Sequence, residues 1–120
     1  MLRKIFILGL FLSMTHAMAL TPEEANTLIK RSGCIACHDT EKSKIGPSYK
    51  EVANRYRDTS KVSYLSGKTP ATFLKEKVRS GSMKDKRWSD KYKGMMTPNP
   101  VSRISDADLE AVIKYILELK

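Results

Sequence analysis

Cysteine and histidine are scarce in this chain. There are two cysteines, at positions 34 and 37, and two histidines, at positions 16 and 38. Two thiols exclude a multi-bridge disulfide framework and a four-thiolate metal site. Acid is also in short supply: 13 Asp and Glu against 22 Lys and Arg give a formal net charge of +9. No apolar run is long enough to cross a bilayer as a helix, since the longest, Ile5 to Met14, falls well short of the required length. An alternating strand–helix pattern is missing too, which argues against a thioredoxin-like redox fold. The 120 residues leave room for one small domain.

The first segment reads as an export signal. Arg3 and Lys4 form a basic start, Ile5 to Met14 an apolar h-region, and Ala17-Met18-Ala19 an A-x-A cleavage site. The expected division is therefore a signal peptide over 1–19 and a mature domain over 20–120. Cleavage removes His16, leaving His38 as the only mature histidine, and removes Met1, Met14 and Met18. It also removes two cations, lowering the net charge from +9 to about +7. The expected location is the periplasm, with no integral span after cleavage. Export also removes the substrate that a nucleic-acid-binding reading of the basic charge would need.

What is present is concentrated in Cys34-Ile35-Ala36-Cys37-His38. The pattern C-x-x-C-H is the signature of c-type haem attachment. Two thiols at this spacing can each form a thioether to one vinyl group of a single haem, with the backbone in a tight helical turn. The following histidine is then held beneath the iron as proximal ligand. A small chain buries little apolar surface of its own. A macrocycle at its centre adds to that area, so the haem-free chain is expected to be poorly folded.

Around the motif the pattern is helical. Thr21-Pro22-Glu23-Glu24 offers an N-cap, an N1 proline and a capping box, and Ala25, Leu28 and Ile29 follow at helical spacing up to Gly33. Ile45-Gly46-Pro47-Ser48 reads as a rigid turn, and the Pro47 carbonyl is the candidate acceptor for the second ring nitrogen of His38. Tyr49, Val52, Ala53 and Tyr56 mark a second helix. Thr69-Pro70 begins a third, with Phe73, Leu74 and Val78 as its buried stripe and Gly81 as its stop. A lysine-rich loop from Gly81 to Gly94 carries Met83, Trp88 and Tyr92; Trp88 is a candidate donor to a haem propionate. Ser105 and Asp108 cap a last helix, where Leu109, Val112, Ile113, Ile116 and Leu117 recur with helical period. That helix should cross the first and close the haem cavity.

An iron with one histidine needs a second axial ligand to transfer electrons without binding small molecules. A thioether is the expected one, because no second histidine remains. Met96 in Met95-Met96-Thr97-Pro98-Asn99-Pro100 is preferred, with Met95 the alternative and Met83 a distant third. The prolines keep this stretch out of helix and inner strand, which suits a side chain held in fixed aim.

With Cys34–His38, Ile45–Lys50, Met96-Thr97-Pro98-Asn99 and the closing helix from Ser105 to Leu119 in order, the chain resembles the class I c-type cytochromes, in particular small bacterial periplasmic ones of the c551/c553 kind. The resemblance implies an all-α cytochrome c fold, N- and C-terminal helices crossing, with short helices and loops wrapped around one covalent haem c. It implies that Cys34 and Cys37 hold the haem and that His38 and Met96 are the axial ligands. It further implies that Pro47 bonds His38 and that Trp88 corresponds to the family's propionate-contacting tryptophan. The stretch Lys84–Lys93 is longer than in compact members.

The function expected is that of a monomeric periplasmic electron carrier, not an enzyme. Its haem edge would be ringed by lysines such as Lys42, Lys44, Lys84, Lys86, Lys91 and Lys93. A positive surface steers encounter with redox partners bearing acidic docking faces, such as a membrane cytochrome complex, a terminal oxidase or a reductase. The alternative is a haem-bearing subunit of a periplasmic redox enzyme complex, or a ligand sensor with a displaceable sixth ligand. A zinc site is poorer, since its fourth ligand would be unnamed.

Overall fold

A computed structural model describes residues 19–57, 67–81, 92 and 96–120. Among them the regular structure is helical: α1 (Pro22–Arg31), a 3₁₀ turn over Cys34–Ala36, α2 (Tyr49–Arg57), α3 (Pro70–Ser80) and α4 (Asp106–Leu117).

Each helix begins where local chemistry dictates. Thr21 caps α1 by accepting from Glu24 N, and the Glu24 carboxylate returns a bond to Thr21 N at 3.0 Å. Helix α2 has the same reciprocal arrangement, with Ser48 Oγ accepting from Glu51 N at 3.2 Å and Glu51 Oε2 from Ser48 N at 2.9 Å. Thr69 and Ser105 cap α3 and α4. Asp108, expected to complete a capping box with Ser105, instead carries its carboxylate to Arg31 at 3.1 Å, tying α4 to α1. A cationic partner on α1 outcompetes the local amide for that carboxylate.

Helix α4 is the hub, packing against α1, α2 and α3. Its stripe of Leu109, Val112, Ile113 and Ile116 is buried with Ile29 of α1, Tyr49 of α2 and Ile104. Each such side chain contributes about 1.5–3 kcal/mol when fully withdrawn from water. A smaller cluster joins Tyr56 to Phe73, ring centroids 5.6 Å apart. Thus α1 and α4 pack together as expected, and the apolar stripes of α2 and α3 close the remaining sides. No described helix is long and apolar enough to cross a membrane.

Candidate functional site

Helix α1 ends on Ser32, and Gly33 takes the left-handed conformation (φ +78°) that turns the chain into the 3₁₀ turn. Cys37 N and His38 N both bond to Cys34 O, at 3.2 and 3.0 Å, so the motif is wound into one tight turn. Lys44 Nζ fastens its outer side by donating to Ile35 O at 2.9 Å. Both thiols are half-buried, and they form no disulfide with each other. Burial pushes the Cys34 thiol up from its ordinary pKa, against the positive field of Arg103.

His38 is held on three sides. Nδ1 lies 2.7 Å from Pro47 O, in the geometry of an N–H donating to the carbonyl. The ring stacks on Tyr49, with centroids 5.5 Å apart and planes 23° from parallel. Gly46 lies so close that a Cβ there would sit 2.6 Å from Cε1 and 3.0 Å from Nδ1. The turn that brings Gly46 and Pro47 in is fixed by Gly46 N to Cys37 O at 2.9 Å and Tyr49 N to Asp39 O at 2.9 Å. Burial holds the His38 imidazole below its ordinary pKa, opposed by the Pro47 carbonyl. A neutral ring bonded through Nδ1 keeps its Nε2 lone pair, the form in which imidazole ligates a metal.

Cys34, His38 and Met96 line one cavity, whose other walls come from all four helices and Ile104. It contains about 930 Å³ of empty space including its open mouth. The main core and the cavity wall are the same residues: Ile29, Tyr49, Ile104, Leu109, Val112, Ile113 and Ile116 belong to both. Lys77 is the cationic residue of that lining. Burial pushes the Tyr49 phenol far above its ordinary pKa, so it stays neutral in this wall.

The structure thus brings Cys34, His38 and Met96 to one cavity, with Pro47 bonded to His38 and Cys37 in the same turn as Cys34. Trp88, Met95, Met83 and the lysines at 84, 86, 91 and 93 lie outside the described residues, as does the segment 1–18. Three site-shaping residues escaped the sequence reading. Glu51, besides capping α2, accepts from Ser43 Oγ at 3.0 Å and from Tyr92 Oη at 2.5 Å. Tyr92 is buried there. Arg79 bonds the segment after Met96. Only Glu51 had a sequence signal, the Ser48-x-x-Glu51 pattern ahead of an apolar stripe.

An apolar cavity with paired thiols at C-x-x-C spacing, a neutral imidazole and a thioether defines a covalent haem-binding protein of the c type. Comparison with known proteins then places it. Residues 22–120 match the cytochrome c family model. The chain is 38% identical over 98 residues to cytochrome c2 of Rubrivivax gelatinosus, covering 82% of this chain and 96% of that protein. It is 32% identical over 113 residues to cytochrome c-552 of Nitrosomonas europaea, covering 94% and 95%. The crystal structure of wild-type Nitrosomonas europaea cytochrome c552 superposes with a TM-score of 0.59 at 34% identity, covering 79% of this chain and 99% of that one. The chain belongs to the cytochrome c family, has its all-α fold, and carries one covalently attached haem c for electron transfer. The residues present fit that group, since the cavity is apolar and its wall carries Cys34 of the C-x-x-C pair, an imidazole and a thioether.

Proposed function

We propose that this protein is a periplasmic one-electron carrier whose haem is attached through Cys34 and Cys37 and ligated by His38 and Met96. The observation that carries the reading is the placement of His38 and Met96 in the wall of one cavity, with Cys34 beside them. The haem, when bound, supplies a reversible one-electron couple, and a thioether ligand favours its reduced state. The chain's own residues do the rest. Pro47 fixes the ring orientation and proton position of His38, Gly46 lets the turn approach, and the apolar wall excludes water. Residues 1–19 act as an export signal and 20–120 form the working domain. Trp88 serves as a propionate donor. With His38 and Met96 both held as ligands, the group would pass electrons rather than catalyse a reaction.

Lys42 is exposed, and its positive charge, with the excess of lysine in the chain, attracts acidic redox partners such as a membrane cytochrome complex, a terminal oxidase or a reductase. Lys44 is partly committed, since its ammonium bonds Ile35 O.

The test is a set of spectra on exported protein. A pyridine haemochrome assay should show one haem held by two thioethers, and N-terminal sequencing should begin at Leu20. The oxidised protein should be low-spin with a methionine–iron charge-transfer band, lost in Met96→Ala and kept in Met95→Ala. A high-spin oxidised spectrum would replace the carrier with an enzyme subunit or sensor whose sixth position opens.

A further inference from the structure

The segment from Met96 to Ile104 has an unusual hydrogen-bonding problem. Pro98 and Pro100 have no backbone N–H, so the segment has fewer donors with which to brace itself. Its internal backbone bonds are Arg103 N and Ile104 N to Pro100 O, both beyond the stretch next to Met96. Within the segment, Asn99 Nδ2 also donates to Thr97 O at 3.0 Å and Arg103 Nη1 to Asn99 Oδ1 at 3.3 Å; the remaining bracing comes from outside, from the last turn of α3. Asn99 N and Nδ2 both donate to Val78 O, at 3.0 and 3.3 Å. Gly81, at φ +76°, comes so close that a Cβ there would lie 2.5 Å from Met96 O. Arg79 does the most. Its side chain is only 20% exposed, and Nη1 donates to Asn99 O at 3.1 Å and Ile104 O at 2.8 Å. Its Nη2 donates to Asp106 Oδ1 at 2.7 Å, at the start of α4.

We propose that Arg79 is a positioning residue for the sixth iron ligand: by joining Asn99, Ile104 and Asp106 it fixes the segment that aims Met96 into the cavity. This rests on the reading of Met96 as that ligand. A planar guanidinium can serve carbonyls and a carboxylate at once, in fixed directions. An ammonium is a single point of attachment. The bonds reach Asn99, between the two prolines, and Ile104, at the far end of the segment, so they fix its position at two points. With the guanidinium gone, the segment has more conformations, and the fraction with Met96 in ligating position falls. An external ligand competing for the same place gains in proportion.

The experiment uses the haem-loaded protein in wild-type, Arg79→Gln, Arg79→Lys, Thr69→Ala and Met96→Ala forms. Imidazole binding to the oxidised state is titrated, and the methionine–iron charge-transfer band is followed as pH rises. For Arg79→Gln, imidazole should bind about tenfold more tightly, and the band should disappear about one pH unit lower. Arg79→Lys should move both readouts in the same direction by less, and it carries the test if the glutamine variant does not load haem. Thr69→Ala removes the N-cap at the far end of the same helix. It should lower the melting temperature without moving either readout. If Arg79→Gln and Arg79→Lys behave like Thr69→Ala, losing only thermal stability, the positioning role is overturned and the methionine reading survives. If wild type lacks the band, or Met96→Ala retains it, the ligand reading fails and the role of Arg79 fails with it.

Discussion

Replacing Gly46 by alanine should destabilise the haem-loaded protein, although a glycine-to-alanine change in a compatible turn ordinarily stabilises by about 0.4–1 kcal/mol through the unfolded chain. Gly46 is not among the positive-φ glycines, so alanine meets no backbone penalty. What it meets is the His38 ring, with the new Cβ 2.6 Å from Cε1. Restoring ordinary contact near 3.4 Å requires a movement of about 0.8 Å. The ring has nowhere to give, because Tyr49 is stacked on it and Pro47 O holds Nδ1 at 2.7 Å. Moving the turn instead stretches that bond to about 3.5 Å, past the useful range. Overpacking costs about 1–3 kcal/mol and a lost buried hydrogen bond about 1–3 kcal/mol. Less the entropic gain, the net loss is about 1–5 kcal/mol, or roughly 5–25 °C in Tm for a domain of this size. Thermal melts followed by circular dichroism measure it, and the reduction potential should shift as the imidazole loses its fixed acceptor. An alanine variant that melts within 2 °C of wild type, or above it, would refute the reasoning.

Four further outcomes follow from the same geometry. A Cys34→Ala/Cys37→Ala chain, exported without covalent haem, should show no cooperative melting transition; a sharp, stable one would show that the haem is dispensable for folding. Tyr92→Phe removes the phenol donor to Glu51 and should cost about 1–2 kcal/mol in denaturant unfolding, with Glu51→Gln costing at least as much because it weakens the α2 cap as well. The Asp106 carboxyl is held below the usual carboxylate range, chiefly by its bond from Arg79 and then by Lys75. The stability difference between wild type and Asp106→Asn should therefore be full above the ordinary carboxylate pKa and vanish as pH falls through the lowered one, in melts taken across acid pH. Electron-transfer rates to acidic partners should fall with added salt, and rates indifferent to ionic strength would remove the lysine face from the account.

The elements that proved legible are those whose causes are local. The start of α1 is written in Thr21-Pro22-Glu23-Glu24, and the approach of Pro47 to His38 in the short polar loop that ends on a Gly-Pro turn. Helix α4 is visible in its apolar period. Contacts between distant segments carried no such mark. Arg79 is one of many cations in a basic chain, and nothing at position 79 shows that two carbonyls on the far side of a proline stretch will face it. Tyr92 and Glu51 are separated by 41 residues of sequence. Asp108 was read as a local cap because the spacing allows it; the competing cation lies on α1, too far away in sequence to be weighed. Gly46 was taken for a turn residue, whereas its importance is its missing side chain. The spacing of a ring against a backbone is a tertiary fact.

That the main core and the cavity wall are the same seven residues has a consequence for the life of the protein in the cell. There is no second cluster of comparable size among the described residues to keep the chain closed while it waits for its prosthetic group. A chain without its group should therefore be open to proteases, and one that carries it protected, since cleavage follows the population of opened states. The amount of this protein that accumulates should accordingly follow the supply of haem rather than synthesis alone, with no receptor needed to clear molecules that fail to acquire the group.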